Sequence, residues 1–237
     1  PAGFQPLNAA NVRPETVIAR PDQYVAASIW TGDGTENRLI PLNMKPDLIW
    51  IKQRNDTRVH ILQDSVRGFT KGLYSDDTDA ESTRDPGYGE AVFGGFEVSN
   101  GAGSNVSGRT MVAWSWKAGG NKNTFNVDDV GYASAAAAGL NGGTITPTGA
   151  SVGTKQGFSI LKYQGNGSAG ANISHGLLKA PKLMIHKSLD ASRNWYTITT
   201  AIDGSADYLY LNSTAVANNS ACLLYTSPSP RDATLSR

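Results

Sequence analysis

Cysteine is almost missing from this chain: Cys222 is the only one in 237 residues. That excludes a disulfide framework and a cysteine-built metal centre. No apolar run approaches the roughly 18 residues that cross a bilayer as a helix, and a membrane is not an expected partner. Charge is sparse too, at 17%, and balanced, with 21 Lys+Arg against 20 Asp+Glu. Without a basic cluster, or aromatics interleaved with Lys and Arg, nucleic acid is not an expected partner either. Long stretches of helical periodicity are also lacking. What is plentiful is glycine, 26 residues of it, together with Thr, Ser, Asn and Val, the composition of short strands joined by tight turns.

The chain repeats itself. Shifting it by 181 − 46 = 135 positions lays Pro46–Val66 over Pro181–Ala201, with Pro46, Leu48, Lys52 and Arg58 falling on Pro181, Leu183, Lys187 and Arg193. The flanks agree. WTGDG from Trp30 precedes one copy and YQGNG from Tyr163 the other, while LYSDDT from Leu73 and LYLNST from Leu209 follow. Two tandem copies of one unit are therefore expected.

Strand candidates in the first copy are 24–30, 38–42, 47–52, 59–65, 73–75, 91–98 and 109–117. Residues 47–52 are apolar on both faces, as a central covered strand would be. On 109–117, Val112, Trp114 and Trp116 share one face and Met111, Ala113 and Ser115 the other, so the bulky face is expected to meet the core. Candidates in the second copy are 157–164, 182–187, 195–200 and 207–211; no counterpart of 91–117 follows them, which predicts an incomplete unit with an open strand edge prone to association. Residues 1–20, rich in proline, read as a linker, 21–117 as the first repeat, 118–154 as a Gly/Ala-rich linker or an arm packed across a copy, and 155–221 as the second repeat, truncated. The last sixteen residues, Cys222–Arg237, resemble the translation of a transposase-type sequencing adapter and read as a non-native tail. Setting them aside leaves 21 − 2 = 19 basic and 20 − 1 = 19 acidic residues, a net charge of zero. With no initiator methionine, the sequence reads as an internal piece. The fold class expected is all-β: tandem β-sandwiches of jelly-roll or lectin-like type.

Few motifs promise chemistry. Gly165, Gly167 and Gly170 spell GxGxxG, but Gly176 and Pro181 break any helix that could hold a pyrophosphate, so no dinucleotide site is expected. DDTDAE, from Asp76 to Glu81, could offer oxygens to calcium, yet it lacks the spacing of a helical calcium loop and loses most of its acids in the second copy; a solvated loop is the reading, with no metal and no cofactor. His60, His175 and His186 have no acid or nucleophile at a catalytic spacing, and His60 and His186 fall on Trp195 and Ile51 of the other copy. No catalytic residue is assigned. Trp50, Trp114 and Trp116 read as core. The polar loops are the candidate ligand rim: Arg54, Asn55, Asp56 and Arg58 in the first copy, and Asp190, Arg193, Asn194 and Trp195 in the second.

PDLIWIKQRN, HILQDSVRGFTKGLYSDDTDAE, RTMVAWSWKAGGNKNTFNVDDVGYASAAAAGL and GFSILKYQGNGSAGANISHGLLKAPKLMIHK together resemble the tandem repeat domain of uncharacterised, tail-fibre-like structural proteins of marine tailed bacteriophages. The resemblance covers about Asn11 to Ala221. It implies a non-enzymatic module on a virion tail or fibre, at its extracellular face. The expected partners are host-surface glycan or other virion proteins, in a homo-oligomeric full-length protein. Alternatives are a glycan-degrading tail enzyme, for which Asp64, Asp128 and Asp129 are the available acids, and a cellular lectin-like adhesin.

Overall fold

A computed structural model describes residues 18–84, 88–202 and 207–215, and the backbone of 218–219. Residues 1–17 of the expected linker and the whole of the expected adapter-derived tail, 222–237, lie outside them. The described chain is all-β and sandwich-like; one short 3-10 turn, Pro21–Gln23, is its only helical element among those residues.

Nine strands make the first copy: β1 (Val25–Thr31), β2 (Arg38–Pro41), β3 (Leu48–Gln53), β4 (Ile61–Asp64), β5 (Lys71–Tyr74), β6 (Ser82–Thr83), β7 (Glu90–Val92), β8 (Gly95–Val98) and β9 (Thr110–Trp116). Six of them form one sheet in the order β1-β9-β3-β4-β5-β6, and the other three a second in the order β2-β8-β7. The core lies between: Trp30, Ile49, Ile51, Met111 and Ala113 meet Ile40, Ala91, Phe96 and Val98. Trp30 packs edge-on to Phe96 at 5.8 Å and donates its indole N–H to the Ser104 carbonyl.

β3 is central, as its two apolar faces foretold. On β9 the expectation is reversed. Met111, Ala113 and Ser115 are buried, whereas Trp114 is 39% exposed and Val112 and Trp116 are half-buried. The physical reason is volume. Phe96, Ile49 and Ile51, all fully buried, already fill the space between the sheets, and only a slim side of β9 fits against them.

The segment 118–154, expected as linker or arm, carries β10 (Phe125–Val127), β11 (Val130–Tyr132) and β12 (Pro147–Gly153). These join β13 (Phe158–Tyr163) in the order β11-β10-β12-β13, over a small core of Phe125, Leu140, Ala150, Val152 and Leu177. Buried Asp47 ties this segment to the first copy by accepting the N–H groups of Ala118 and Gly120 at 2.7 and 3.1 Å.

Last come β14 (Leu183–His186), β15 (Tyr196–Thr199), β16 (Asp207–Tyr210) and β17 (Asn218–Asn219), a meander in chain order. Here the repeat becomes geometry. Leu48 faces Asp64 and Ile51 faces Ile61 across β3–β4; 135 positions on, Leu183 faces Thr199 and His186 faces Tyr196 across β14–β15. The next pairing repeats as well: Tyr74 faces Ile61, and Tyr210 faces Tyr196, an offset of 210 − 74 = 136 because the intervening turn is one residue longer. Even the turn bonds recur. The Ser75 N–H donates to the His60 carbonyl and the Leu211 N–H to the Trp195 carbonyl, both at 3.0 Å. Asp76 accepts the His60 N–H, and Asn212 the Trp195 N–H, both at 2.8 Å.

Candidate functional site

Side chains alternate across a strand, so the reversal on β9 puts its bulky residues on the outer face of the six-stranded sheet. Register there sets Ile29 beside Val112 and Lys52, and Ala27 beside Trp114 and Trp50. Trp114 meets Trp50 edge-on at 5.9 Å. Ala27 on its other side is too small to cover the indole, and Ile29 is 70% exposed. The result is an apolar, aromatic strip open to solvent, of the kind that marks an interaction surface. Sequence reading missed Trp114 and Ile29 here; the signal that could have found them is the slim face on the opposite side of β9.

The strip ends at the loop 54–58. Lys52 holds this loop from within, its ammonium donating to the Asp56 and Arg58 carbonyls at 2.9 and 2.6 Å. Asn55 accepts both the Gln53 side-chain amide at 3.1 Å and the Thr110 N–H at 3.2 Å, which fastens the loop to the start of β9. Asp56 pairs with Arg109 and, at 3.9 Å, with Arg58. The hydrogen bond from Arg109 holds the Asp56 carboxyl below its ordinary pKa. Arg54 and Arg58 are exposed. Arg109, which the sequence reading left out of the rim, completes a fixed charged edge. Trp114 lies four residues along β9 from Thr110, about 13 Å at roughly 3.3 Å per residue.

The second loop serves another purpose. Trp195, expected to meet solvent, is 4% exposed: it packs with Leu62 and Leu73 on the outer face of the first copy's sheet. Its indole N–H donates to the Tyr74 carbonyl at 2.6 Å and the Asp77 carbonyl at 3.1 Å. A large apolar ring gains more on this half of the sheet, beside Leu48 and Trp50, than in water. Around it, the Arg193 N–H and the Lys187 ammonium both donate to the Thr78 carbonyl at 2.9 Å. Asn194 accepts from the Asn212 side chain at 3.0 Å, and Asp190 accepts the Ser188 hydroxyl at 3.0 Å. Asp190 and the Arg193 side chain remain exposed, but the loop as a whole joins the copies.

The remaining motifs resolve into structure. Gly34 and Gly167, 133 positions apart, both take positive φ, 81° and 69°, so the repeated G-x-G marks a left-handed turn; GNGSAG is followed by no helix. In DDTDAE, Asp76 caps His60 as described and Glu81 pairs with Arg67 at 3.2 Å. Among the described residues no cluster of His, Cys, Asp and Glu is arranged to hold a metal ion. Asp64 is buried and tied to Arg67 at 2.5 Å. Asp128 accepts Thr154, and Asp129 pairs with Lys117 at 2.6 Å.

Comparison with known proteins gives a family and nothing finer. No curated protein matches the chain, and no solved structure matches it. The family model that does match, described as a domain of unknown function (DUF7483), spans residues 20–237: both copies, the segment between them and the last sixteen residues. The chain belongs to that family.

Proposed function

We propose that this chain is a non-enzymatic structural and adhesion module of a virion tail or tail fibre, and that the outer face of its first copy contacts host-surface glycan. The observation that carries this reading is the solvent-open Trp114 on the same strand, β9, whose start holds the fixed edge of Arg54, Arg58 and Arg109–Asp56, about 13 Å away. An indole face stacks on the apolar face of a pyranose, and orientation comes from a few placed polar groups. Docking of the second copy through Trp195 supports a stiff tandem array, in which weak single sites gain by avidity. Placement on a phage tail rests on the resemblance of the repeat wording to tail-fibre-like proteins.

A glycan-array and host-cell binding assay on the chain tests it. Binding should fall about tenfold or more with Trp114→Ala, and again with the Arg54→Ala/Arg58→Ala pair, at unchanged fold. No binding by the folded, monodisperse chain would replace adhesion with a spacer role.

A further inference from the structure

On the outer face of the first copy's sheet the open strip continues past Trp114. Trp116 lies two residues further along β9 on the same side of the strand, and Val25, 46% exposed, is its partner across the β1–β9 ladder. There the strip runs into a cavity of about 250 Å³ whose walls include Tyr24, Val25, Trp116, Gln156 and Phe158. Phe158, the first residue of β13, stacks on Trp116 at 6.2 Å and 28°. The turn before it is pinned, because the Gln156 side-chain amide donates to the Lys117 and Ala118 carbonyls at 2.9 and 2.8 Å. From Thr110 to Trp116 the strip is about 20 Å long, at roughly 3.3 Å per residue.

Charge sits at its two ends and not between them. At the start of β9 the cations Arg54, Arg58 and Arg109 outnumber Asp56, the one carboxylate of the 54–58 loop. At the far end the Lys155 ammonium lies over the Tyr24 ring, 5.8 Å from its centroid. Among the described residues no carboxylate pairs with Arg54 or Lys155. The outward side chains between these ends, Ala27 and Ile29 on β1 and Val112, Trp114 and Trp116 on β9, are uncharged, and Lys52 directs its ammonium to the loop's own carbonyls. An apolar partner segment would leave both end cations unmatched, and a neutral sugar chain would use the rings alone. A chain of rings that carries carboxylates matches both features: its apolar faces stack on the aromatic side chains, a guanidinium takes a carboxylate by two parallel hydrogen bonds, and an ammonium takes one as a point charge.

Resting on the glycan contact proposed above, we infer that the strip and the cavity are one site for an acidic polysaccharide, a uronate-bearing chain laid along β9 from the Arg54–Arg58 loop to the cavity of Tyr24, Trp116 and Phe158. Phe158 and Lys155 belong to the second copy, so the two copies build the far end together. Tandem arrangement then completes a site as well as repeating it.

The test measures binding of the chain to oligouronates from alginate and from polygalacturonate, each beside its carboxyl-reduced, neutral counterpart, in lengths shorter and longer than the strip. Oligouronates that span about 20 Å should bind about tenfold or more tighter than their neutral counterparts, and about tenfold or more tighter than oligouronates too short to reach both ends. Lys155→Gln, at an exposed position, should narrow the gap between a spanning oligouronate and its neutral counterpart about threefold or more. Trp114→Ala should weaken both ligands. Equal binding of acidic and neutral chains, still dependent on Trp114, would overturn the acidic class and leave the glycan contact standing. An unchanged gap in Lys155→Gln would remove the far end from the site. Binding of neither kind by the folded chain would overturn this inference and the glycan contact together.

Discussion

The indole N–H of Trp195 lies 2.6 Å from the main-chain carbonyl of Tyr74, a bond from one copy of the repeat to the other. Its positional twin in the first copy is His60, whose main chain makes the counterpart bonds, from the Ser75 N–H and to the Asp76 carboxylate. Replacing Trp195 by alanine empties a site lined by Leu62 and Leu73 and strands two carbonyl acceptors. The expected cost is about 3–5 kcal/mol. Calorimetry should show the second copy melting ahead of the first in Trp195→Ala; one cooperative transition near the parent temperature would remove Trp195 from this role.

Arg67 offers a second case. Its guanidinium is buried between Asp64 at 2.5 Å and Glu81 at 3.2 Å, and it also donates to the Leu62 carbonyl. Arg67→Met removes the cation and leaves the buried Asp64 carboxylate uncompensated, so a loss of about 3–5 kcal/mol is expected. The double variant Arg67→Met/Asp64→Leu should recover part of it, because the most buried carboxylate goes with the cation and only Glu81, the more exposed partner, is left without it. Equal denaturation midpoints for the single and double variants would show that the pair is not coupled.

Much of this architecture could be read from residues alone, and the reasons are local. Every strand expected in 182–211 has its partner in 47–75 because repeated apolar alternation fixes register. Three features resisted. β10 and β11 are three residues each, β12 is broken by Gly149 and lacks an apolar alternation, and β10 pairs parallel with β12 across an intervening loop, a non-local pairing that leaves no periodic trace. The face of β9 that enters the core depends on the bulk of Phe96, contributed by a different sheet. Trp195 and His60 share a position in the repeat, but Trp195 packs on Leu62 and Leu73 of the other copy, a contact between copies that the sequence of either turn does not carry.

Close backbone approach makes Gly95 a third test. Its φ is 154°, and a methyl group there would sit 2.1 Å from the Ile40 carbonyl oxygen, on the β2–β8 ladder where Pro41 faces Gly95. Gly95→Ala must push the two strands apart, and a loss of about 1–3 kcal/mol is expected from overpacking alone. Gly94, at φ 81°, has open space around the same methyl, so Gly94→Ala should cost only the left-handed conformation, about 1–2 kcal/mol. Chemical denaturation of both variants separates crowding from strain, and a Gly94→Ala loss equal to that of Gly95→Ala would deny the clash.

Acid sensitivity should come from His186. Burial between β13 and β14 lowers its pKa below the ordinary 6.5, and His60 is lowered by burial too, against the opposing pull of Asp76. Between the folded-state value and 6.5 the unfolded chain binds more protons than the folded one, so stability rises with pH through that window and falls as pH drops through it. Asp33 does not contribute there: the Thr35 hydroxyl and N–H hold it at about 2, well below the window. Melting temperature should therefore decline as pH is lowered from 7 towards 5, the range in which histidine titrates. His186→Phe should flatten most of that slope, and His60→Gln a smaller part. A His186→Phe profile parallel to the parent's would place the acid-sensitive group elsewhere.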